Sequence, residues 1–249
     1  MLLAEASGFS QSSVIAFPER VLPSTVESSF LEYIQRRKRG EPIAYIVGHK
    51  EFYGVDLAVN PAVLIPRPET ELLVDLALET SFGSAVDLGT GSGAIALAVK
   101  KNRPKSRVVA VEASAAALEI AKRNAVRLGL EVEFRHGRWL EPLAGARFDL
   151  ILSNPPYIAA GDSHLPDLRF EPSSALLGGA DGLDAIRAIV RQAPVHLAPG
   201  GRLLLEHGQG QDAAVRALLE AAGLEDVRTW PDLAGIPRAS GGRNSGGKR

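Results

Sequence analysis

The sequence Ala85-Val86-Asp87-Leu88-Gly89-Thr90-Gly91-Ser92-Gly93 joins a short apolar run to a glycine-rich turn, and an apolar stretch at helical spacing follows it. A buried strand that passes through a glycine turn into a helix is typical of an alternating β/α fold. The same alternation continues along the chain and predicts a parallel, doubly wound sheet. The predicted strands cover 85–88, 107–111, 132–135, 148–153, 202–206 and 227–230, and the predicted helices cover 94–101, 115–128, 183–197 and 211–222.

The residues before this unit follow a different pattern. Apolar side chains at spacings of four predict a helix over 25–39, which ends in a basic run before Gly40. Two β-rich runs, 43–47 and 55–59, flank a glycine-bounded segment and predict a hairpin. We therefore expect a small helical region at 1–41, a β-hairpin linker at 42–66, an α/β domain at 67–243 and a flexible tail at 244–249. The Gly-rich, basic composition of 241–249 predicts disorder at this end.

The composition excludes several classes of protein. Lys+Arg 28 against Asp+Glu 29 gives a net charge of −1, so no global basic field holds nucleic acid. The absence of cysteine excludes disulfides and thiolate chemistry, and the five histidines show no metal-ligand spacing, so we predict no metal site. No apolar run approaches ~18 residues and no signal-peptide pattern opens the chain, so we expect a cytoplasmic protein without a membrane partner.

The glycine turn and the acids near it indicate the kind of cofactor. The turn has the spacing G-x-G-x-G rather than the G-x-G-x-x-G of dinucleotide folds, and the Asp87 carboxylate would oppose a phosphate but suit a cation. Glu112 ends the second strand, 19 residues after Gly93, where an acid accepts hydrogen bonds from ribose hydroxyls. Trp139 follows the third strand and either covers an adenine ring or packs in the core. These features favour S-adenosylmethionine, which carries an ammonium and a sulfonium but no phosphate.

The segment Asn154-Pro155-Pro156-Tyr157 follows the fourth strand, at the sheet edge where ligands bind in open α/β folds. Two prolines remove two backbone donors and hold the segment extended, so its carbonyls stay free as acceptors. With the Asn154 side-chain carbonyl and the Tyr157 ring, the segment suits a planar –NH₂ group. Holding both hydrogens of such a group before an electrophilic methyl is catalysis by positioning and electrostatics.

At this point the chain resembles a known family, the class I S-adenosylmethionine-dependent methyltransferases, and more narrowly the HemK/PrmC-type peptide chain release factor glutamine methyltransferases. The resemblance implies a Rossmann-like sheet with helices on both faces, preceded by a small helical region and a β-hairpin. Further stretches carry it, namely Gly40 to Gly48, Glu51 to Gly54, Leu64 to Glu71, Phe170 to Pro172, Gly178 to Leu183 and Leu205 to Gly208.

The resemblance also implies roles for individual residues. The substrate would be the glutamine of the Gly-Gly-Gln motif of class 1 release factors, methylated on its side-chain amide, with the helical region as a docking surface. Asn154, Pro155 and Tyr157 would be catalytic and, with Pro156, would hold the glutamine. Cofactor contacts would come from Asp87, Gly89, Thr90, Gly91, Ser92, Gly93, Glu112, Trp139 and Asn154.

The sequence departs from the family pattern and leaves alternatives open. The strand-end acid is Glu112 where Asp is usual, and Arg138 stands where the family has an acid that accepts from the adenine amine. The helical region is shorter than is usual. A ribosomal-protein glutamine methyltransferase, an adenine-amine nucleic-acid methyltransferase and a cofactor-binding module without activity are the other candidates. The net charge and the lack of a target-recognition domain favour no direct DNA binding.

Overall fold

The computed structural model describes residues 1–246, so residues 247–249 of the predicted tail lie outside the described residues. The chain divides into two compact units, one ending at His49 and one beginning at Lys50. The first unit is helical, and its longest helix confirms the prediction to within one residue at each end. Its helices are α1 (Leu2–Ser7), α2 (Gln11–Ala16), α3 (Ser24–Lys38) and α4 (Ile43–Val47).

A β-hairpin is present as predicted, but its first strand lies at other residues than expected. The predicted strand at 43–47 is the one-turn helix α4, because Pro42 pre-sets its start and Gly48, at φ 83°, ends it in the left-handed conformation. The two strands are β1 (His49–Phe52) and β2 (Val55–Ala58), so the first occupies the predicted loop. Tyr53 and Gly54 connect them with φ values of 50° and 70°, as a two-residue type I′ turn requires.

The second unit contains a seven-stranded sheet with helices on both faces, as predicted. The strand order is β5-β4-β3-β6-β7-β9-β8, and the first five of these strands are parallel. The strands are β3 (Ser84–Leu88), β4 (Arg107–Glu112), β5 (Glu133–His136), β6 (Phe148–Ser153), β7 (Leu197–Glu206), β8 (Glu225–Pro231) and β9 (Pro237–Arg243). The helices are α5 (Glu71–Leu78), α6 (Ala94–Asn102), α7 (Ala115–Leu128), α8 (Asp184–His196) and α9 (Asp212–Ala221).

The apolar core lies on the two faces of this sheet. Val86 and Leu88 of β3 pack on one face with Ile186 of α8, whereas Ala85 packs on the other with Leu97 of α6. Successive side chains of a strand point to opposite faces, so strands covered on both sides read as continuous apolar runs. This explains why the strand positions were legible in the sequence.

The strand β9 corrects the prediction of disorder at the end of the chain. Pro237–Arg243 lies between β7 and β8 and runs antiparallel to both. Its glycines are close-packed rather than flexible, because a Cβ on Gly241 would contact the Leu203 carbonyl and lie 2.6 Å from Leu204 Cδ2. A glycine-rich strand of this kind has the composition of a linker, which misled the prediction.

The strand order fixes where the predicted site residues meet. The chain moves from β3 outward to β5 on one side and then returns to β6 on the other, so the carboxyl ends of β3 and β6 lie side by side. Leu88 pairs with Ser153, and the Ser153 hydroxyl donates to the Leu88 carbonyl at 2.6 Å. Ligands of open α/β sheets bind at such a switch point. Within residues 1–246, no helix is long and apolar enough to span a membrane.

Candidate active site

A cavity of about 530 Å³ opens at the carboxyl ends of the parallel strands. It brings together six of the residues predicted from the sequence: Gly89, Gly91, Glu112, Trp139, Asn154 and Pro156. Its other walls come from Val63 and Leu64 after the hairpin and from the loop that follows β6. Two hollows of about 860 and 660 Å³ lie at the amino ends of the strands and contain none of the predicted residues.

The glycine turn after β3 forms one wall of the cavity. Gly89, Gly91 and Gly93 have φ values of 71°, 57° and 88°, which L side chains rarely adopt. A Cβ on Gly91 would meet no atom within 4 Å, whereas one on Gly93 would lie 2.8 Å from Leu97 Cδ1. Gly91 therefore leaves space at the cavity wall, and Gly93 allows α6 to pack against the turn.

The two predicted acids hold the turn and its flanking residues through hydrogen bonds. Asp87 is buried, and its Oδ2 accepts from the Thr90 hydroxyl at 2.6 Å and from the Ala96 N–H at 3.2 Å. Its Oδ1 is buried without a hydrogen-bond partner among the described residues. Glu112 lines the cavity and accepts from the N–H groups of Gly91 and Ser114, both at 2.9 Å. Both carboxylates thus hold the turn and can still accept further hydrogen bonds.

Burial raises the pKa of Asp87 to about 7, although hydrogen bonds from Thr90 and Ala96 act against the shift. Because this folded-state pKa is higher than the ordinary value, the associated stability is present below about pH 4 and is lost as the pH rises through about 7. We therefore expect Asp87→Asn to gain stability relative to the wild type between pH 5 and pH 8. The gain is on the order of a few kcal/mol at most, since one pKa unit corresponds to about 1.4 kcal/mol.

Thermal unfolding of both proteins at pH 5 and pH 8, followed by circular dichroism, measures this difference. The pH-dependent part of the change is the relevant quantity, because it removes any constant effect of the substitution itself. An equal difference in Tm at the two pH values would contradict the assignment.

Trp139 stands against the glycine turn at the cavity wall. Its ring lies beside Gly89, whose hypothetical Cβ would be 3.4 Å from Cζ3, and its Nε1 is buried without a partner among the described residues. Its φ of 52° is costly for a bulky residue and marks a strained position of the kind found at binding sites. Arg138 lines the same cavity. The tryptophan is therefore a wall residue of the cavity.

The Asn154–Tyr157 segment is held rigidly by its neighbours. Asn154 Nδ2 donates to the Thr70 hydroxyl at 3.0 Å, and the Tyr157 hydroxyl donates to Glu206 Oε1 at 3.1 Å. Gln211 Nε2 donates to the Tyr157 carbonyl at 3.0 Å, and a Cβ on Gly178 would lie 2.6 Å from the Pro156 carbonyl oxygen. Across residues 1–246, Asn154 Oδ1 and the Pro155 carbonyl accept no protein hydrogen bond. Two acceptors of the segment thus remain available.

Six predicted residues do not line the cavity: Asp87, Thr90, Ser92, Gly93, Pro155 and Tyr157. Asp87, Thr90 and Ser92 are buried at the turn. Sequence reasoning missed Thr70 and Glu206, which form hydrogen bonds with Asn154 and with Tyr157 from other elements. An acid at the end of the apolar strand β7 was the available signal for Glu206. Arg67, in the stretch from Leu64 to Glu71, forms an ion pair with the buried Glu171.

Glu206, like Asp87, is a buried carboxylate whose pKa is raised. Burial raises the pKa of Glu206 to about 7, against hydrogen bonds from Thr70 and Tyr157 and the positive charge of Arg238. Burial also raises the pKa of Tyr157, and the adjacent Glu206 adds to the shift, so this phenol stays protonated as a donor. No group of acidic or histidine side chains within residues 1–246 has the arrangement of a metal site.

Two family models match this chain. Residues 1–48 match the family model described as PrmC N-terminal domain, and residues 68–167 match the methyltransferase small domain. Among solved structures, a methyltransferase from Pyrococcus furiosus aligns with a TM-score of 0.62 at 21% identity, covering 87% of this chain and 98% of that one. This level of identity shows the class I methyltransferase fold alone.

Relatives identified by sequence share a much higher identity with this chain than that structure does. A release factor glutamine methyltransferase from Xylella fastidiosa is 53% identical over 232 residues, which cover 90% of this chain and 84% of the relative. The protein of the same name from Burkholderia pseudomallei is 49% identical, covering 99% of this chain and 91% of the relative. These matches confirm the resemblance drawn from the glycine turn and the Asn-Pro-Pro-Tyr segment. The chain belongs to the release factor glutamine methyltransferase family.

Proposed function

We propose that this protein transfers a methyl group from S-adenosylmethionine to the side-chain amide nitrogen of a glutamine, in the Gly-Gly-Gln motif of a class 1 peptide chain release factor. One observation supports the proposed methyl transfer to an amide nitrogen. Asn154 lines the cavity and commits its Nδ2 to Thr70, so its Oδ1 is left as an acceptor beside the glycine turn. The names of the relatives support the choice of substrate.

The cavity fits the proposed cofactor. S-adenosylmethionine supplies an electrophilic methyl group on its sulfonium when it is bound. The Glu112 carboxylate is placed to accept from the ribose hydroxyls, and Gly91 leaves room for the close approach of the cofactor to the turn. Trp139 would cover the adenine, and Asp87, buried behind the turn, would suit a cationic ligand in its ionised form. Thr90, Ser92, Gly89 and Gly93 give the turn its shape.

The substrate amide would be held by the Asn154–Tyr157 segment. Asn154 Oδ1 and the Pro155 carbonyl would each accept one N–H, and the flat surface of Pro156, which lines the cavity, would confine the amide plane. Tyr157 would support the segment from outside the cavity through its bond to Glu206. An amide nitrogen is a poor nucleophile because its lone pair is delocalised. Fixing both of its hydrogens favours pyramidalisation, which localises the lone pair, so the segment stabilises the transition state without acting as a base.

Arg138 offers a test of adenine recognition at the cavity wall. A guanidinium has no acceptor for the adenine amine, whereas an aspartate does. We expect Arg138→Asp to tighten cofactor binding, by about 1.5–3 kcal/mol at best, or about 10- to 100-fold in Kd. Isothermal titration calorimetry with S-adenosylhomocysteine measures the change. Unchanged or weaker binding would mean that this protein recognises adenine by other contacts.

A short amide offers few contacts of its own, so binding energy must come from surfaces remote from it. We assign this docking role to the helical residues 1–41, which fall within the match to the PrmC N-terminal domain. A release factor as substrate implies action in the cytoplasm, where translation ends, and no direct binding to DNA.

Labelled S-adenosylmethionine, offered with a release factor, with ribosomal proteins or with DNA, tests the proposal. Mass spectrometry of the release factor should find one added methyl group on the glutamine of Gly-Gly-Gln, and a free Gly-Gly-Gln tripeptide should react very slowly. Label on a ribosomal protein or on adenine, with an unmodified release factor, would favour those substrates instead. Calorimetry showing binding of NAD and none of S-adenosylmethionine would refute the cofactor.

A further inference from the structure

We propose that Arg67 and Glu171 are positioning residues, whose ion pair fixes the wall segment, residues 172–177 of the cavity, relative to Asn154. This inference rests on the proposed function, because it concerns where the reacting amide is held. Neither residue of the pair lines the cavity, so neither is a catalytic residue. The wall segment itself contributes four residues to the lining, namely Pro172, Ser174, Ala175 and Leu177.

The wall segment is held at each of its ends. At the far end, the Ile158 N–H donates to the Leu176 carbonyl and the Gly178 N–H donates to the Ile158 carbonyl, both at 2.9 Å. The near end begins after Glu171, whose side chain is only 3% exposed. Between Ile158 and Glu171 the chain makes an excursion with several exposed residues. The contacts of Glu171 therefore determine where the near end of the wall segment lies.

Both carboxyl oxygens of Glu171 contact the stretch that follows the hairpin. Oε2 accepts from the Ile65 N–H at 3.0 Å, and Oε1 accepts from Arg67 Nη2 in the ion pair. These partners lie 106 and 104 residues away in the sequence, and they come just after Leu64, which lines the cavity. One buried carboxylate therefore joins the wall segment to the stretch that forms another part of the cavity wall.

The stretch that Glu171 contacts is rigid and also holds Asn154. Prolines on both sides of Arg67 fix two φ angles, and a 3₁₀ turn over Pro68–Thr70 follows, in which the Thr70 N–H donates to the Arg67 carbonyl at 3.1 Å. Asn154 Nδ2 contacts the Thr70 hydroxyl at 3.0 Å. The wall segment and the proposed amide-binding residue are thus attached to one short element, so a shift of Glu171 changes the space between them.

Stability alone does not explain an ion pair at this place. Apolar residues of similar volume often replace a buried ion pair without loss of stability, because burying two charges is costly. A carboxylate that accepts from two donors fixes a direction as well as a distance, which apolar contacts do less well. Since a misplacement of about 1 Å can cost about 10²-fold in rate, the pair is suited to set the geometry of the cavity.

Glu171→Gln keeps the size of the side chain but leaves one acceptor oxygen for two donors. Its –NH₂ group would face either the Ile65 N–H or the Arg67 guanidinium, so one of the two attachments is lost. We expect kcat for release-factor methylation to fall by about 10- to 100-fold, as a loss of positioning implies. KM for the release factor should change by less than about threefold, because docking is assigned to residues 1–41, which take no part in these contacts.

Arg67 provides a matched pair of variants that keeps the proposal testable if Glu171→Gln fails to fold. Arg67→Met keeps an aliphatic stem and removes the charge, so it should lower kcat as Glu171→Gln does. Arg67→Lys keeps a charged donor for Glu171 Oε1 and should retain kcat to within about fivefold. Equal kcat in Arg67→Met and Arg67→Lys, or wild-type kcat in a folded Glu171→Gln, would overturn the proposal.

Asp149→Asn is the control for the loss of a structural carboxylate elsewhere. Asp149 Oδ2 accepts from the N–H groups of Gly83 and Ser84 at 2.9 and 2.8 Å, at the amino ends of the strands and outside the cavity. This variant should lower Tm, as Glu171→Gln does, but it should keep kcat close to the wild type. An equal fall of kcat in both variants would trace the effect to lost stability and would contradict the proposal.

Hydrogen exchange measured without substrate separates this proposal from the proposed function. The Ile65 N–H reports its bond to Glu171, and the amides of Ala175 and Leu177 report the wall segment, because they donate to carbonyls within it. In Glu171→Gln and Arg67→Met we expect these amides to exchange at least about tenfold faster, as the loss of one charge-assisted hydrogen bond implies. In Arg67→Lys they should exchange as in the wild type.

The two proposals can therefore fail separately. If the wild-type protein does not methylate a release factor, the proposed function fails, while hydrogen exchange still decides whether the ion pair holds the wall segment. Unchanged exchange at Ile65 and in the wall segment, in both Glu171→Gln and Arg67→Met, would refute the role of the pair.

Discussion

Asn154→Ala is expected to lower kcat for release-factor methylation by about 10²–10³-fold, the typical loss when one preorganised transition-state contact is removed. The substitution deletes Oδ1, one of the two acceptors that we propose for the reacting –NH₂ group, and leaves the glycine turn and Glu112 in place. The Kd for S-adenosylmethionine, measured by calorimetry, should change far less than kcat. Initial rates with a release factor at saturating cofactor give the first quantity.

Asn154→Asp serves as the companion variant. It keeps an acceptor but adds a negative charge beside the sulfonium. That charge stabilises the ground state more than a transition state in which the positive charge is lost, so this variant should also turn over slowly. Full turnover of Asn154→Ala on the true substrate would show that the segment does not hold the amide as proposed.

Gly91→Val is expected to abolish measurable binding of S-adenosylmethionine. The backbone there has φ 57° and borders the cavity, and a Cβ would enter space that no protein atom within 4 Å occupies. The added branches would therefore fill the room that the cofactor needs. Over-packing of this kind in the bound state costs about 1–3 kcal/mol. Strain in the left-handed region, about 1–2 kcal/mol, lowers the stability of the fold with or without the cofactor. Calorimetry with S-adenosylhomocysteine and with S-adenosylmethionine measures the loss.

Gly129→Val is the matched control for backbone strain. Gly129 ends α7 at φ 65°, also with no atom within 4 Å of a hypothetical Cβ, but it lies outside the cavity. Both variants should lose comparable stability in thermal unfolding, and only Gly91→Val should lose cofactor binding. Equal loss of binding in both would trace the effect to general destabilisation, and retained binding in Gly91→Val would place the cofactor elsewhere.

Local patterns in the sequence were sufficient for most of the sheet. The strands β3 and β6 were predicted to within one residue because each is buried on both faces and reads as a continuous apolar run. The glycine turn, Glu112 and Asn154 were found because each follows such a strand directly. Parallel strands bring their carboxyl ends to one edge, so a one-dimensional reading was enough to collect these residues at one site.

The failures have physical reasons of two kinds. Where a helix of one turn contains β-branched residues, as in α4, propensity favours a strand and only the flanking Pro42 and Gly48 indicate otherwise. The network around Glu206 was missed because it depends on contacts between distant positions. Thr70 lies 84 residues from Asn154, and Tyr157 lies 49 residues from Glu206. Periodic patterns in the sequence cannot reveal contacts between residues so far apart.

The position of β9 in the sheet determines when the last strands can pair during synthesis. This strand separates β7 from β8, and residues 225–231 join the sheet only through it. A nascent chain that has emerged as far as residue 236 therefore has the five parallel strands but leaves β8 without its partner and β7 with an open edge. Asn244, which follows β9, fastens this strand to β7. Its Nδ2 donates to the Leu197 carbonyl at 3.1 Å, and its own carbonyl accepts from the Gly200 N–H at 2.7 Å. The antiparallel part of the sheet thus forms only once β9 is available, and a chain that ends before β9 would expose an aggregation-prone edge at β7.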